Sequence, residues 1–449
     1  MKGSSSVWMF LIGLGSMTQF HFVGSLGVSE LPIFLIAPII FVMDFRLLRG
    51  DGFMPFIWLT ILCCIGCCIS SYVNKTPPIF FVKGLATPYS IFAVTVVLHR
   101  LLRENLAGYK WLLIGAFLSS IICVFVFQPE NYTARGGEVI TGEAAIDAVT
   151  GSSLFWSSRI RGLLLLPTQA YYLPTPSACS ILAILVSALI YVLFSEGSGR
   201  SAALTTLVAM IFIILGGKSR RKLYMIRKRF GRVLLIIVIA LIAMKIAYST
   251  AARVGLLGYD AQQKYYNQTR TGTDALHLLM AGRMEFFCGA MACLDRPLIG
   301  FGPKAEDTGG YVAKYLEKFG SPEDYSAYIR LMLYLRQKGA GFYQMIPAHS
   351  YIISFWRDSG ILGLIVWLYV LWLFFAAFKR GWISAVPQWY GYLMLTMASE
   401  TWNIFFSPYT ARIIMPMLIS CILYAKLIKE GKKQLPYDME MDARKYDTY

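Results

Sequence analysis

Apolar runs close to 20 residues long recur from one end of this 449-residue chain to the other. Coiled as an α-helix, a run of about 20 residues matches the hydrocarbon thickness of a bilayer. Backbone in lipid must satisfy its own N–H and C=O groups, so only helices and closed barrels span it. Alternation with period two is absent, which argues against a barrel. The pattern predicts an all-α polytopic membrane protein. Composition agrees, with 57% hydrophobic and 15% charged residues and a mean hydropathy of +0.56. A soluble chain carries roughly 25% charged residues.

About twelve spans are expected, at 7–27, 31–44, 55–73, 84–101, 107–127, 162–175, 177–195, 201–217, 233–250, 359–378, 384–404 and 408–425. The N-terminus, MKGSSSVWMFLIGLG, holds one Lys and no small-residue cleavage site, so it reads as a first span. Segment 162–175 is short and contains Pro167 and Pro174. It either crosses or forms a re-entrant, broken helix against a protein cavity.

Lys and Arg clusters set the orientation. Arg46 and Arg49, His99 to Lys110, 218–232, Lys379 with Arg380, and Lys426 to Lys433 fall on one side, the cytoplasm. Both termini are then inside. The net charge of +17 follows from these loops. Its densest run, KSRRKLYMIRKRFGR, reads as an orientation signal on an anionic leaflet, and no nucleic-acid partner is expected. The chain divides into a membrane domain at 1–250 with spans one to nine, an outer loop at 251–349, a second membrane part at 350–433, and a polar cytoplasmic tail at 434–449.

The outer loop carries mixed charge and helical periodicity. Segments 275–294 and 321–341 read as helices, with DRPLIGFGP as a Pro/Gly break after the first. Of nine cysteines, Cys63, Cys64, Cys67 and Cys68 fall in one apolar span, where small apolar filler fits better than buried thiolate ligands. Cys288 and Cys293 are five apart on a helix and face different ways, so no disulfide is expected between them.

Arg161, Arg200, Arg283 and His349 are all expected at the outer surface. An arginine at that depth needs a partner. A lipid headgroup would serve, and so would a diphosphate, whose oxygens match the guanidinium fork. Arg159 stands beside Arg161, and Glu285 offers Arg283 a local partner. His349 ends the polar loop directly before a span. No Asp-x-Asp metal motif occurs in an exposed loop, and no Gly-rich phosphate loop with Lys-Ser/Thr occurs.

These segments resemble the O-antigen ligase and polymerase superfamily of bacterial glycan enzymes. Arg283 followed by Pro297, Gly300 and Gly302 looks like its Arg…Pro-x-x-Gly-x-Gly pattern. His349 followed by Gly360 and Gly363 looks like its His…Gly-x-x-Gly pattern, with Asp358 where an acid is usual. Ser350 replaces the usual Asn after the His. Ser198-Gly199-Arg200-Ser201 is an imperfect Ser-Arg-Gly turn, and Arg161-Gly162 with Pro176-Ser177 is a looser echo. The likeness covers roughly 155–365, and elsewhere it is hydropathy alone.

The resemblance implies a GT-C-like fold with its large loop between spans nine and ten. It implies a metal-independent, inverting glycosyltransferase without cofactors, facing the periplasm from the bacterial inner membrane. The donor would be an undecaprenyl-diphosphate-linked glycan. Arg200, Arg283 and Arg161 would hold its diphosphate, and His349 would act on the acceptor hydroxyl or on a phosphate oxygen. The acceptor would be a growing glycan, making a polymerase, or lipid A core or protein, making a ligase. The Pro176-Ser177 echo favours the polymerase, for which a chain-length regulator would be a further protein partner. A lipid-linked glycan flippase is the reading from another class.

Overall fold

The computed structural model describes residues 2–16, 19–21, 25–50, 53–104, 108–125, 284–319, 345–348, 350–380 and 387–407, with isolated positions elsewhere. These residues are mostly helical. In chain order they form α1 (Lys2–Ser16), the strands β1 (Gln19–His21) and β2 (Ser25–Gly27), α2 (Glu30–Met43), α3 (Phe45–Gly50) and α4 (Met54–Val73). There follow α5 (Pro78–Glu104), α6 (Tyr109–Phe125), α7 (Met284–Asp295), α8 (Tyr311–Phe319), α9 (Tyr351–Ser359), α10 (Ile361–Arg380) and α11 (Pro387–Phe406).

Helices α2, α4, α6, α10 and α11 lie within three residues of expected spans at either end. Three boundaries differ, the first being the start of α1 at Lys2, five residues before the expected 7. The first span was expected to run to 27, but α1 ends at Ser16 and an antiparallel hairpin pairs Gln19 with Gly27 and His21 with Ser25. The segment TQFHFVGSLG is poor in strong helix formers and carries two glycines, so a helix there has little local support. Helix α5 starts at Pro78, six residues before the expected 84. Proline suits a first helical position because its missing N–H has no partner there anyway. The expected spans at 162–175, 177–195, 201–217, 233–250 and 408–425 lie outside the described residues, apart from isolated positions, and so does the expected helix at 321–341.

Two of the described helices are long and apolar enough to cross a membrane: Met54–Val73, with mean hydropathy 2.1, and Pro78–Arg103, with 1.6. Shorter apolar helices cover Ser5–Gly15, Glu30–Met43 and Ile361–Ala377. The outward faces are apolar. On α4 the exposed stripe is Trp58, Leu62, Ile65, Ile69 and Tyr72, spaced by alternating fours and threes. On α10 it is Ile365, Leu368, Trp372 and Phe375. A helix on the surface of a soluble protein puts polar residues on that side.

The inward contacts combine close backbone approach with polar pairs. Helices α1 and α6 cross at two glycines: a Cβ on Gly13 would strike the Leu112 carbonyl, and one on Gly115 the Phe10 carbonyl. Between α2 and α5, the Tyr89 hydroxyl donates to the Phe34 carbonyl at 2.7 Å and Ser90 donates to Glu30 at 3.3 Å. Arg100 of α5 pairs with the buried Asp44 at the end of α2 at 2.5 Å. Beside them the His99 ring stacks on Phe53, 5.9 Å between centroids. Gly66 lets α4 press against the Ser359 carbonyl and Leu362, where α9 meets α10.

Gly115→Leu would wedge α1 from α6, because backbone, not a flexible side chain, occupies the space. The expected cost is about 1–3 kcal/mol or more, read as a lower midpoint of thermal unfolding in detergent. An unchanged midpoint would mean that the crossing does not bear on stability.

Candidate functional site

The two glycine motifs meet in one joint. Helix α7 stops at Asp295, just before Arg296-Pro297, as expected where a proline disfavours helical backbone ahead of it. The chain then turns through Gly300, with φ +75°, and Gly302, with φ +84°. At the end of α9, Gly360 has φ +63° and caps the helix, its N–H reaching the Trp356 carbonyl at 2.8 Å. These left-handed values favour glycine, and space demands it as well. A Cβ on Gly300 would collide with the Arg357 carbonyl, and one on Gly360 with the Leu298 carbonyl.

Four hydrogen bonds lock the joint. Phe301 and Gly302 donate their amides to the Arg357 carbonyl at 2.7 and 3.2 Å. Ile361 donates to the Leu298 carbonyl at 3.2 Å, and the Trp356 indole to the Pro297 carbonyl at 2.8 Å. Gly363 belongs to the α10 side of this turn, where it leaves room for the Phe355 carbonyl. The α4–α5 turn braces the joint from below: Asn74 donates to the Gly300 carbonyl at 3.3 Å and accepts from Arg296 at 2.8 Å.

From the joint, α7 and α9 run side by side in the same direction. Gly289 faces the Pro347 carbonyl and Ile353, and the Cys293 thiol reaches the Ile353 carbonyl at 3.8 Å. The N-terminal ends of both helices therefore lie at one end of the pair. The C-terminal end of α11 closes against them. Ser350, the N-cap of α9, accepts from the Ile353 amide at 3.4 Å and donates to the Ile404 carbonyl at 2.8 Å. Phe286 packs on Phe406, 5.7 Å between ring centroids.

Among the expected site residues, Pro297, Gly300, Gly302, Gly360 and Gly363 are brought together in this joint. Arg161, Arg200, Arg283 and His349 lie outside the described residues. In sequence, Arg283 immediately precedes the first residue of α7 and His349 immediately precedes the cap of α9. Ser350 serves as a helix cap.

Sequence reasoning missed two residues. Arg357 is buried, pairs with Asp358 at 2.6 Å and donates to the Ile346 carbonyl at 2.7 Å. It ties the strip 345–348 to α9, and that strip also bonds to Ala305 through the Ile346 amide. Its signal was a cation on the apolar side of a short helix. Asn74 is the other, and its signal was an Asn in the tight turn VNKTPP between two apolar runs.

Cys288 and Cys293 are free thiols in separate apolar clusters, as their spacing implied. Burial pushes both up to about 12, so neither is a thiolate at neutral pH. Among the described residues, no three His, Cys, Asp or Glu side chains are grouped to hold a metal ion. The buried Tyr311 hydroxyl donates to Asp295 at 2.7 Å, and burial first, then that carboxylate, raises its pKa to about 12.

Gly360→Ala should cost about 1–3 kcal/mol and lower the unfolding midpoint more than Ala at exposed Thr308 does. For Tyr311, the folded pKa lies above the ordinary value near 10. Its contribution is thus fully present below pH 10 and lost as pH rises through about 12. Tyr311→Phe should flatten the alkaline fall in stability over that window; an equally steep fall in the variant would assign it to other groups. No protein-family model matches the chain, and neither does any curated protein sequence.

Proposed function

We propose that the chain is a polytopic, GT-C-like membrane glycosyltransferase of about twelve spans that takes its glycan from undecaprenyl diphosphate at the periplasmic face of the bacterial inner membrane. One observation carries this reading. The Pro-x-x-Gly-x-Gly turn and the Gly-x-x-Gly turn interlock, and in sequence the helices they align follow Arg283 directly and His349 after the single cap residue Ser350. The outward apolar stripes of α4 and α10 support the membrane setting.

The chemistry follows from charge. An acceptor hydroxyl attacks the anomeric carbon, and the bond to the diphosphate oxygen breaks as the new C–O bond forms. The electron pair leaves on that oxygen. Arg283 and Arg200, with Arg161, would stabilise the growing negative charge. The N-terminal ends of α7 and α9 add partial positive charge, part of which Glu285 in the first turn of α7 offsets. His349 would take the acceptor proton or donate to a phosphate oxygen; an ordinary imidazole pKa near 6.5 suits either. With a growing glycan as acceptor, the enzyme would be a polymerase extending repeat units.

The test is glycan transfer by purified protein given an undecaprenyl-diphosphate oligosaccharide and EDTA. Longer lipid-linked products are expected from the wild type. His349→Ala and Arg283→Ala should each lose roughly 10²-fold or more in rate, with His349→Ala still binding donor. Extension only when lipid A core is supplied would make the protein a ligase. Intact donor binding with no transfer to any acceptor would replace the enzyme by a flippase.

A further inference from the structure

A second feature of the joint faces away from the α7–α9 contact. Between Leu294 and Ile299, three aliphatic side chains stand in solvent-accessible positions: Leu294 at 66%, Leu298 at 70% and Ile299 at 42% exposure. One exposed leucine is ordinary, but three in six residues of a polar loop segment form a patch. The exposed Arg296 lies among them. Asn74 holds its guanidinium at 2.8 Å, and the same group sits 4.8 Å over the Phe301 ring. Two anchors fix this cation, and a guanidinium has donors to spare.

The neighbouring surface has the same character. Asn74 belongs to the turn that follows α4, so the bond to Arg296 sets the patch beside exposed Lys75 and the exposed end of α4 at Tyr72. Gly302 abuts Thr76 in that turn, and Pro303 abuts Gly84 of α5, which brings in Lys304. Of the nearby acids, Glu306 and Asp295 are exposed, but Asp295 and Asp307 each hold a local donor. Asp295 accepts from Tyr311, and Asp307 accepts from the amides of Tyr311 and Val312 at the start of α8.

We propose that the 294–304 turn, together with the α4–α5 turn, is seated in the headgroup layer of the bilayer and binds anionic phospholipid. The proposal rests on the membrane reading above but not on glycosyl transfer. Its position argues for lipid. The patch lies at the common end of α4 and α5, the helices with the length and hydropathy to cross, where a span leaves the hydrocarbon. Its composition argues the same way. Aliphatic and aromatic side chains interleaved with Lys75, Arg296 and Lys304 match a layer of acyl-chain tops and phosphates. The outer loop is thereby pinned to the membrane at its joint.

The test places a fluorescent amino acid at Leu298, at Leu368 on the outward face of α10, or at Glu317 on α8, in nanodiscs of phosphatidylcholine with or without phosphatidylglycerol. A headgroup-attached quencher should reach Leu298, and aqueous iodide should quench it several-fold less than Glu317. Phosphatidylglycerol should strengthen that shielding, and Arg296→Gln with Lys75→Gln and Lys304→Gln should remove the gain. If Leu298 behaves like Glu317 while Leu368 is shielded, the patch is not seated although the chain spans. If Leu368 also behaves like Glu317, the membrane reading falls and takes the proposal with it. Shielding of Leu298 that ignores both phosphatidylglycerol and the triple substitution would overturn the anionic-lipid assignment.

Discussion

The carbonyl oxygen of Arg357 accepts from two consecutive amides, Phe301 and Gly302, across a contact that any side chain at Gly300 would block. The reciprocal contact, Leu298 carbonyl to Ile361 amide, needs Gly360 bare for the same reason. Backbone meets backbone on both sides, so the register is set by hydrogen-bond geometry with little freedom to slide. Everything beyond the joint inherits that register. Helix α7 lies along α9 because their C-terminal ends are tied, and Gly289 allows the pair to stay close as far as Pro347. Arg357 adds a strut from the same helix to Ile346. Residues that chemistry would need at the other end are thus referred to a fixed point about three helical turns away.

This arrangement explains why the glycines and the polar residues of the motifs sit so far apart in sequence. The glycines supply alignment at one end of the α7–α9 pair. In sequence, Arg283 directly precedes α7 and His349 directly precedes the cap of α9. A site built on helix ends held by such a joint is more rigid than one carried on a free loop. The third wall, α11, comes in through a cap that serves two purposes: Ser350 satisfies the first turn of α9 and at the same time bonds the Ile404 carbonyl.

Much of the fold could be read from residues because apolar runs and their flanking prolines and charges act locally. The ends of α2, α4 and α10 follow from that alone. The hairpin at 19–27 could not, since hydropathy does not distinguish an apolar helix from a short apolar strand pair of the same length. In the site, the glycine pattern was legible because positive φ leaves a compositional mark. The role of Asn74 was not, because its partners lie far away in sequence: it meets Gly300 and Arg296, more than 200 positions on. A long-range hydrogen bond leaves no periodicity, and the side chain that makes it looks like any turn Asn; Arg357 bonds nearby, to Asp358 and Ile346, and its mark was a cation on the buried side of a short helix.

The packing is arranged unlike that of a soluble bundle, and the difference bears on what holds it together. Leu, Ile, Trp and Phe stripes face outward on α4 and α10, while Glu30, Asp44, Ser70, Thr95, Ser350 and Arg357 are buried. If the outside is lipid, as proposed, apolar burial gives little net drive, because an outward leucine is already in hydrocarbon. What remains is close contact and polar pairing. Beside its packed apolar side chains, the described interior shows both: glycine crossings at Gly13, Gly66 and Gly115, and bonds such as Tyr89 to Phe34, Ser90 to Glu30 and Arg100 to Asp44. The joint of α7 and α9 is the same device, carried out of the apolar helices and into the polar loop. Backbone approach licensed by glycine thus recurs from the described helix crossings to the joint, where hydrogen bonds secure it.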